Sequence, residues 1–245
     1  MFNQKIQDWF IKNKWEPHSY QLELFKKIDE INNALILAPT GSGKTLAGFL
    51  PSINEMIVNP KQGLNTLYIS PLKALANDIE RNLSKPIKEM ELNIRLETRT
   101  GDTKQSKKNN QKYDPPNFLM TTPESFILML SWESASIFFQ NLRYLIIDEI
   151  HTLVNDKRGD LLSLGISRLC HINKKIKKIG LSATVSEPNL ILNWLNSGNQ
   201  PNVKSSIIKQ EWLLNPEIKL PKTKKQIPWS GHSGIFALDE ILKII

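Results

Sequence analysis

The segment Ala38-Pro39-Thr40-Gly41-Ser42-Gly43-Lys44-Thr45 constrains the fold of this chain more than any other. It follows the apolar run Leu35 to Leu37 and leads into a helical pattern that starts near Leu46. A strand, a glycine-rich loop and a helix in this order predict a nucleotide-phosphate loop, because glycines permit the tight turn and the helix directs its positive dipole end at the phosphates. Lys44 would then reach the β- and γ-phosphates of a bound nucleotide, and the Thr45 hydroxyl would coordinate Mg²⁺.

The general pattern of such loops begins with glycine, whereas this chain has Ala38 at that position. The close approach of the backbone to phosphate is expected around Gly41 and Gly43, which are present. An ordinary Gly/Ser turn between a strand and a helix is the competing interpretation. The loop residues expected to bind the nucleotide are Thr40, Gly41, Ser42, Gly43, Lys44 and Thr45.

A second segment offers the carboxylates that a phosphate loop needs for its metal ion and attacking water. Residues 142–147 are almost continuously apolar, interrupted only by Arg143, which predicts a strand buried on both faces. Asp148-Glu149-Ile150-His151 follows, at the edge where parallel sheets bind ligands. Asp148 would hold Mg²⁺ through its water shell, and Glu149 would orient and deprotonate the attacking water. The alternative is a pair of solvated acids at the start of a helix.

Charge and cysteine content narrow the class of protein. The chain has 245 residues, a net charge of +8 and one cysteine, Cys170. The positive charge favours a polyanionic partner such as nucleic acid, although an excess of lysine alone would give the same balance. Cys170 lies in an apolar-periodic stretch and is expected to fill the core. No secretory leader and no apolar run of the length of a membrane span is visible, so a cytoplasmic protein is expected.

The alternation of strands and helices predicts an α/β fold, a RecA-like domain with a mainly parallel sheet covered by helices on both faces. Residues 103–116 are rich in Lys, Asn and Gln and end in two prolines, which favours a mobile surface loop. The strands are predicted at 34–38, 66–70, 94–98, 118–122, 143–148 and 178–182. The helices are predicted at 6–12, 21–31, 46–58, 72–83, 123–130 and 161–171.

The amino-acid composition changes after about Trp194. Four prolines are spread through a polar, lysine-rich tract between residues 200 and 230, a composition typical of a linker that can include short extended segments. Residues 235–245 have the apolar spacing of an amphipathic helix, and the sequence stops there without a Gly or Pro stop signal. The expected organisation is a nucleotide-binding domain over 1–195, a linker over 196–233, and the start of an incomplete second RecA-like domain over 234–245.

Further motifs fall at the carboxyl ends of the predicted strands. They are Leu67-Tyr68-Ile69-Ser70-Pro71-Leu72-Lys73-Ala74-Leu75, Arg99-Thr100-Gly101-Asp102-Thr103, Thr121-Thr122-Pro123-Glu124-Ser125 and Ser182-Ala183-Thr184, and to them are added Asp148-Glu149-Ile150-His151, Lys157-Arg158-Gly159-Asp160 and Pro228-Trp229-Ser230-Gly231-His232 from other parts of the chain. With these segments and the phosphate loop, the chain resembles superfamily 2 helicases of the DEAD/DEAH-box type, in particular the large helicase-related (Lhr) family and its bacterial DEXH-box members associated with a DNA ligase. The resemblance spans nearly the whole chain.

The resemblance implies roles for individual residues. Gln21 would read the adenine edge, as a side-chain amide can by donating and accepting together. Ser182 and Thr184 would couple ATP hydrolysis to strand movement, and His151 would couple the nucleotide to a second domain. The residues implied to grip the backbone of one DNA strand are Ser70, Pro71, Lys73, Arg99, Thr100, Gly101, Thr122 and Pro123.

The same resemblance implies that a second RecA-like domain supplies arginine fingers across the cleft. The sequence therefore predicts the amino-terminal motor domain of an ATP-dependent DNA helicase, acting in DNA repair or recombination and nearly inactive alone. A non-catalytic nucleic-acid-binding fragment is the alternative from another class. A phosphate-loop kinase or GTPase is disfavoured, because no guanine-reading Asn-Lys-x-Asp segment is present.

Overall fold

A seven-stranded, all-parallel sheet forms the centre of the protein in the computed structural model, which describes residues 2–183, 185–196 and 203–210. The strand order is β3-β4-β2-β5-β6-β1-β7, and every neighbouring pair is parallel. The α/β prediction is confirmed. The strands are β1 (Asn33–Leu37), β2 (Thr66–Ile69), β3 (Leu96–Arg99), β4 (Phe118–Thr121), β5 (Tyr144–Ile147), β6 (Lys177–Ser182) and β7 (Ser205–Lys209).

Helices cover both faces of the sheet, as expected for a parallel sheet with right-handed crossovers. Their bounds are α1 (Gln4–Lys12), α2 (Ser19–Lys27), α3 (Lys44–Val58), α4 (Lys73–Glu89), α5 (Gln105–Tyr113), α6 (Pro123–Leu130), α7 (Ala135–Phe138), α8 (Lys157–Ile172) and α9 (Pro188–Asn196), with a 3₁₀ helix at Ile150–Thr152. None of the helices in the described part of the chain has the length and hydropathy to cross a bilayer.

Side-chain alternation along the strands divides the apolar core into two layers. In β5, Ile146 packs into the layer formed with α1, α2, α3 and α4, whereas Leu145 and Ile147 pack into the layer formed with α6, α7, α8 and α9. All four residues of β5 are buried, and β5 is the fourth of the seven strands. The prediction of a central strand buried on both faces is therefore confirmed.

The prediction of a mobile loop over 103–116 is wrong, because residues 105–113 form helix α5. The segment lacks the apolar periodicity that would have indicated a helix. Its attachment is polar instead: the buried Gln111 side chain donates to Glu97 Oε2 at 2.8 Å and to the backbone oxygen of Thr98 at 3.2 Å. These hydrogen bonds dock the helix on β3.

The sheet continues past residue 195, where the first domain was predicted to end. Ser205–Lys209 forms β7 in register with Asn33–Leu37, and the compact unit runs to Gln210. Five extended residues in a lysine-rich tract carry too weak a pattern to be assigned to a sheet, although short extended segments were expected there. The remainder of the predicted linker and the start of a second domain lie outside the described residues.

Candidate nucleotide and nucleic-acid site

The phosphate loop connects β1 to α3 in the conformation that its glycines permit. Gly41 and Gly43 have φ angles of +78° and +79°, in the left-handed region that side chains disfavour. Helix α3 begins at Lys44, and the first bond of its ladder runs from Ala47 N to Gly43 O at 3.0 Å. The amide groups before Ala47 therefore have no partner within the helix, which makes the N-terminus of α3 suited to an anion.

Side chains of helix α2 form hydrogen bonds to the backbone of the phosphate loop. Tyr20 donates its hydroxyl hydrogen to the backbone oxygen of Ser42 at 2.7 Å, and Gln21 Nε2 donates to Gly43 O at 3.3 Å. The other atom of the Gln21 amide, Oε1, accepts from His18 N at 2.9 Å. A Cβ at Gly43 would lie 3.1 Å from Gln21 Nε2, so this contact leaves little room at Gly43. The buried Gln21 amide thus holds the loop in place, and its predicted contact with adenine stays a prediction.

Lys44 and Glu149 meet across the sheet edge, although 104 residues separate them. Lys44 is 6% exposed, and its Nζ lies 3.3 Å from Glu149 Oε1. The other carboxylate oxygen, Oε2, lies 3.5 Å from His151 Nδ1, and that nitrogen is 2.8 Å from Ser182 Oγ. Glu149 has a φ of +45°, an uncommon conformation for a residue with a side chain. The structure therefore brings four predicted site residues from β1–α3, β5 and β6 into one line of contacts.

Asp148 lies at the end of β5 with both carboxylate oxygens occupied by protein donors. Tyr68 donates its hydroxyl hydrogen to Oδ2, and the backbone N–H of Glu149 donates to Oδ1 at 2.9 Å. Burial raises the pKa of Asp148, and the Tyr68 hydrogen bond opposes that rise. Burial and the neighbouring Asp148 raise the pKa of Tyr68 far above its usual value. A buried carboxylate whose charge is this poorly solvated is well suited to a cation.

The residues present fit a magnesium ion that is bound mainly through phosphate and water. Thr45 and Asp148 offer oxygen atoms, the ligands that Mg²⁺ prefers. Within residues 2–183, 185–196 and 203–210, no cluster of three or more His, Cys, Asp or Glu side chains could hold a metal by itself. One hydroxyl and one carboxylate near a phosphate loop match the arrangement in phosphate-loop hydrolases.

The segments predicted to grip nucleic acid follow the carboxyl ends of the adjacent strands β2, β3 and β4. Lys73 and Gly101 are exposed there, and Lys73 Nζ pairs with Asp102 Oδ1 at 2.8 Å. Ser70 and Thr122 are buried and use their hydroxyl oxygens in local structure. Ser70 Oγ accepts from Leu72 N, and Thr122 Oγ1 caps α6 by accepting from Ser125 N, both at 3.4 Å. Pro71 is partly buried, and Thr100 and Pro123 are buried.

Arg99 has a different environment from the one expected for a phosphate contact. Its guanidinium lies over the Trp132 ring, 4.7 Å from the centroid, and Nη1 donates to Lys108 O at 2.8 Å and to Gln111 Oε1 at 3.2 Å. Burial lowers the pKa of Arg99. The side chain therefore fastens α5 to the sheet.

Two residues of this region have no role assigned from the sequence, although both lie in segments that carry the family resemblance. Tyr68 lies on β2 and Arg158 lies in the first turn of α8. Their contacts, of Tyr68 with Asp148 and of Arg158 with Glu124 and Pro71, indicate what they do. Thr184 lies outside the described residues. Ser182 Oγ lies 2.8 Å from His151 Nδ1, and its role in coupling stays a prediction.

An apolar pocket of about 210 Å³ opens beside Thr45, between α1, α3 and α4. Trp9 and Trp15 line it and meet edge to face, with ring centroids 5.4 Å apart. Trp15 is 52% exposed, which leaves an aromatic surface open near the phosphate loop.

Comparison with known proteins gives a consistent result. A family model described as DEAD/DEAH box helicase matches residues 18–191. The chain is 44% identical over 199 residues to the ATP-dependent helicase Lhr-Core of Methanocaldococcus jannaschii, covering 74% of this chain and 23% of that protein. It is 33% identical over 240 residues to the Lhr helicase/uracil glycosylase of Escherichia coli, covering 90% of this chain and 15% of that protein.

A solved structure of Mycobacterium smegmatis helicase Lhr, bound to ssDNA and AMP-PNP, aligns with a TM-score of 0.77 at 32% identity. The alignment covers 99% of this chain and 32% of that one. The DEAD-box helicase Mss116, at 22% identity and a TM-score of 0.73, shares the fold. The chain spans only about a quarter or less of the length of these curated relatives.

Proposed function

Because this chain belongs to the DEAD/DEAH box helicase family, we propose that it is the ATP-binding motor module of an ATP-dependent DNA helicase or translocase. The observation that carries the proposal is the 3.3 Å approach of Lys44 Nζ to Glu149 Oε1. A buried lysine from the phosphate loop and a carboxylate from β5 converge where the γ-phosphate of ATP would lie. In this arrangement Lys44 exchanges its contact with Glu149 for the phosphates, which releases the carboxylate for the attacking water.

Each residue of the site has a task in hydrolysis. Lys44 and the amide groups at the N-terminus of α3 bind the phosphates, and Glu149 accepts the proton of the attacking water. Thr45 and Asp148 would hold Mg²⁺, which when bound neutralises phosphate charge. His151 links Glu149 to Ser182 on β6, so a change at the carboxylate reaches a neighbouring strand.

The pocket beside Thr45 supports a ligand with an aromatic base, as a nucleotide has. Aromatic side chains form favourable stacked contacts with bases, and Trp15 leaves half of its surface accessible there. The base would then lie against Trp15 while the phosphates lie in the loop held by Gln21.

Nucleic acid is the proposed second ligand, bound along the carboxyl ends of β2, β3 and β4. Exposed Lys73 and Gly101 offer a cation and a backbone approach to phosphate. The net charge of +8 favours the same partner. The choice of DNA rests on the M. smegmatis relative solved with ssDNA. A role in repair or recombination and a cytoplasmic location rest on the family resemblance and stay predictions.

A second motor domain is part of the proposal. Its support is the length of the relatives, since the chain spans 23% of the M. jannaschii protein and 15% of the E. coli protein. Arginine fingers from such a domain accelerate phosphoryl transfer by about 10³- to 10⁵-fold in other nucleotide hydrolases. We therefore propose that residues 1–245 bind ATP and DNA but hydrolyse ATP slowly alone.

The test compares the parent chain, Lys44→Ala, and the control Lys26→Ala, which removes an exposed lysine from α2. A fluorescent ATP analogue with Mg²⁺ should bind to the parent and to the control but not to Lys44→Ala. Binding of single-stranded DNA and RNA oligonucleotides is measured in a salt series with and without the analogue. An affinity for DNA that is changed neither by the nucleotide analogue nor by Lys44→Ala would favour a non-catalytic binding fragment. Brisk DNA-stimulated hydrolysis by residues 1–245 would contradict the need for a second domain.

A further inference from the structure

Arg158, in the first turn of α8, joins two segments that have no part in the nucleotide site. Its Nε donates to Glu124 Oε1 at 2.7 Å, and its Nη2 donates to the backbone oxygen of Pro71 at 2.8 Å. Pro71 follows β2, and Glu124 lies in the first turn of α6. One planar guanidinium therefore spans two segments that are 53 positions apart in the chain.

The two segments are those proposed to contact nucleic acid. Pro71 lies between Ser70 and Lys73, and Glu124 directly follows Thr122 and Pro123. The separate donors of a guanidinium are rigidly arranged, so two simultaneous hydrogen bonds fix the spacing of the segments. A lysine ammonium is a single point and lacks this geometry.

The ion pair itself contributes little to stability. The Arg158 and Glu124 side chains are 37% and 51% exposed, and pairs this accessible to solvent are weak. The contact with the Pro71 carbonyl is partly buried and carries no counter-charge. The arrangement is therefore suited to positioning rather than to holding the fold together.

The residue after Arg158 connects the same helix to the nucleotide side. A Cβ at Gly159 would lie 1.8 Å from the backbone oxygen of Leu153, so α8 can start here only with glycine. Leu153 directly follows the 3₁₀ helix that contains His151. The start of α8 is thus packed on the turn after Asp148 and Glu149, while Arg158 contacts the segment after β2 and the start of α6.

We propose that Arg158 is a positioning residue that sets the spacing of the two nucleic-acid segments and ties them to the turn after Glu149. The inference rests on the proposed function, because it assigns nucleic-acid contacts to those segments. A shift of the turn on nucleotide binding reaches both segments through the start of α8. Arg158 itself contacts neither ligand.

The experiment uses the 245-residue chain with Arg158→Gln, Arg158→Lys, Glu124→Gln and the control Arg168→Gln, which removes an exposed arginine from the same helix. Affinity for a single-stranded DNA oligonucleotide and for a fluorescent ATP analogue is measured for each. Arg158→Gln should weaken DNA binding by about 2- to 30-fold, the range for residues that modulate coupling without touching a ligand. Its affinity for the ATP analogue should stay at the parent value. Arg158→Lys should not restore DNA binding fully, and Arg168→Gln should resemble the parent.

Hydrogen exchange supplies a readout that needs no nucleic acid. Arg158→Gln should speed amide exchange after β2 and at the start of α6 together, whereas Glu124→Gln should affect only α6. Failure of the parent to bind either nucleic acid or nucleotide would remove the proposed function and this inference together. Parent-like DNA affinity and exchange in Arg158→Gln, while the parent binds DNA, would overturn this inference alone. Full rescue by lysine, or an equal loss of nucleotide affinity, would also overturn it.

Discussion

Tyr68 and Asp148 are joined by a hydrogen bond at the boundary between the apolar core and the nucleotide site. Tyr68 lies fully buried on β2, and Asp148 follows β5, the strand paired with β2. The phenol donates to Oδ2 and so fixes one oxygen of the proposed metal-binding carboxylate. The orientation of that carboxylate is set from within the sheet, before any ligand binds.

Tyr68→Phe should lower the free energy of unfolding by about 1–3 kcal/mol, because it leaves a buried carboxylate oxygen without its donor. It should also weaken Mg²⁺-dependent binding of an ATP analogue, since Asp148 then rotates more freely. Urea denaturation and nucleotide titration measure the two effects. The control is Tyr113→Phe, at a side chain that is 84% exposed. Equal unfolding free energies for Tyr68→Phe and the control would contradict the prediction.

Lys178 makes stability depend on pH above neutrality. It is 1% exposed in β6, and burial lowers its pKa from 10.5 to about 8. The neighbouring Cys170 opposes this lowering of the Lys178 pKa. Between these two pKa values Lys178 binds more protons in the unfolded chain than in the folded one, so the contribution of Lys178 to stability rises with pH, and below pH 8 the cost of its buried charge is present. Lys178→Met should therefore raise the free energy of unfolding at pH 7 by about 1–3 kcal/mol.

The gain from Lys178→Met should shrink as the pH approaches 10.5, because the parent lysine is then neutral in both states. Denaturant titrations at pH 7 and at successive steps up to pH 10.5 follow the difference. Lys174→Met, at an exposed lysine just before β6, provides the comparison. A gain that stays constant across the series would mean that the Lys178 charge is not its cause.

We expect Arg99 to stabilise α5 in the free protein, in the absence of nucleic acid. Arg99→Ala removes the stack on Trp132 and the hydrogen bonds to Lys108 O and Gln111 Oε1. Amide exchange over residues 105–113 should become faster, and stability should fall by about 1–3 kcal/mol because buried hydrogen bonds are lost. Exchange mass spectrometry of the free protein measures this. If Arg99→Ala left the amide protection of α5 unchanged and lowered only the affinity for DNA, Arg99 would instead be a phosphate contact. The control is Arg81→Ala, at an exposed arginine of α4.

Gly159→Ala should destabilise the protein by about 1–3 kcal/mol, as overpacking against rigid neighbours does. The atom in the way is the Leu153 carbonyl oxygen, which belongs to the backbone and cannot swing aside. Gly101→Ala is the matched comparison, since its Cβ would meet only the end of the flexible Lys73 side chain at 3.4 Å. Thermal unfolding of both variants compares the costs. Equal unfolding midpoints for Gly159→Ala and Gly101→Ala would show that α8 can shift without loss of stability.

The sequence predicts those parts of the structure that are determined by a pattern in consecutive residues. The glycine loop before α3 and the apolar run of β5 each have a signature that spans consecutive residues. Helix α5 has none, because its docking depends on the hydrogen bonds of Gln111 and of Arg99. The contacts of Tyr68 with Asp148 and of Arg158 with Pro71 join residues 80 and 87 positions apart. Such pairings follow from the strand order, which no local pattern encodes.

Strand β7 lies on the outer side of β1, the strand that leads into the phosphate loop. A shortened chain that ended at residue 195 would lack this neighbour and would present the row of N–H and C=O groups of Asn33–Leu37 to solvent. Unpaired rows of this kind recruit strands from other molecules. Residues 205–209 therefore cover the loop-bearing strand, and a recombinant fragment should include them.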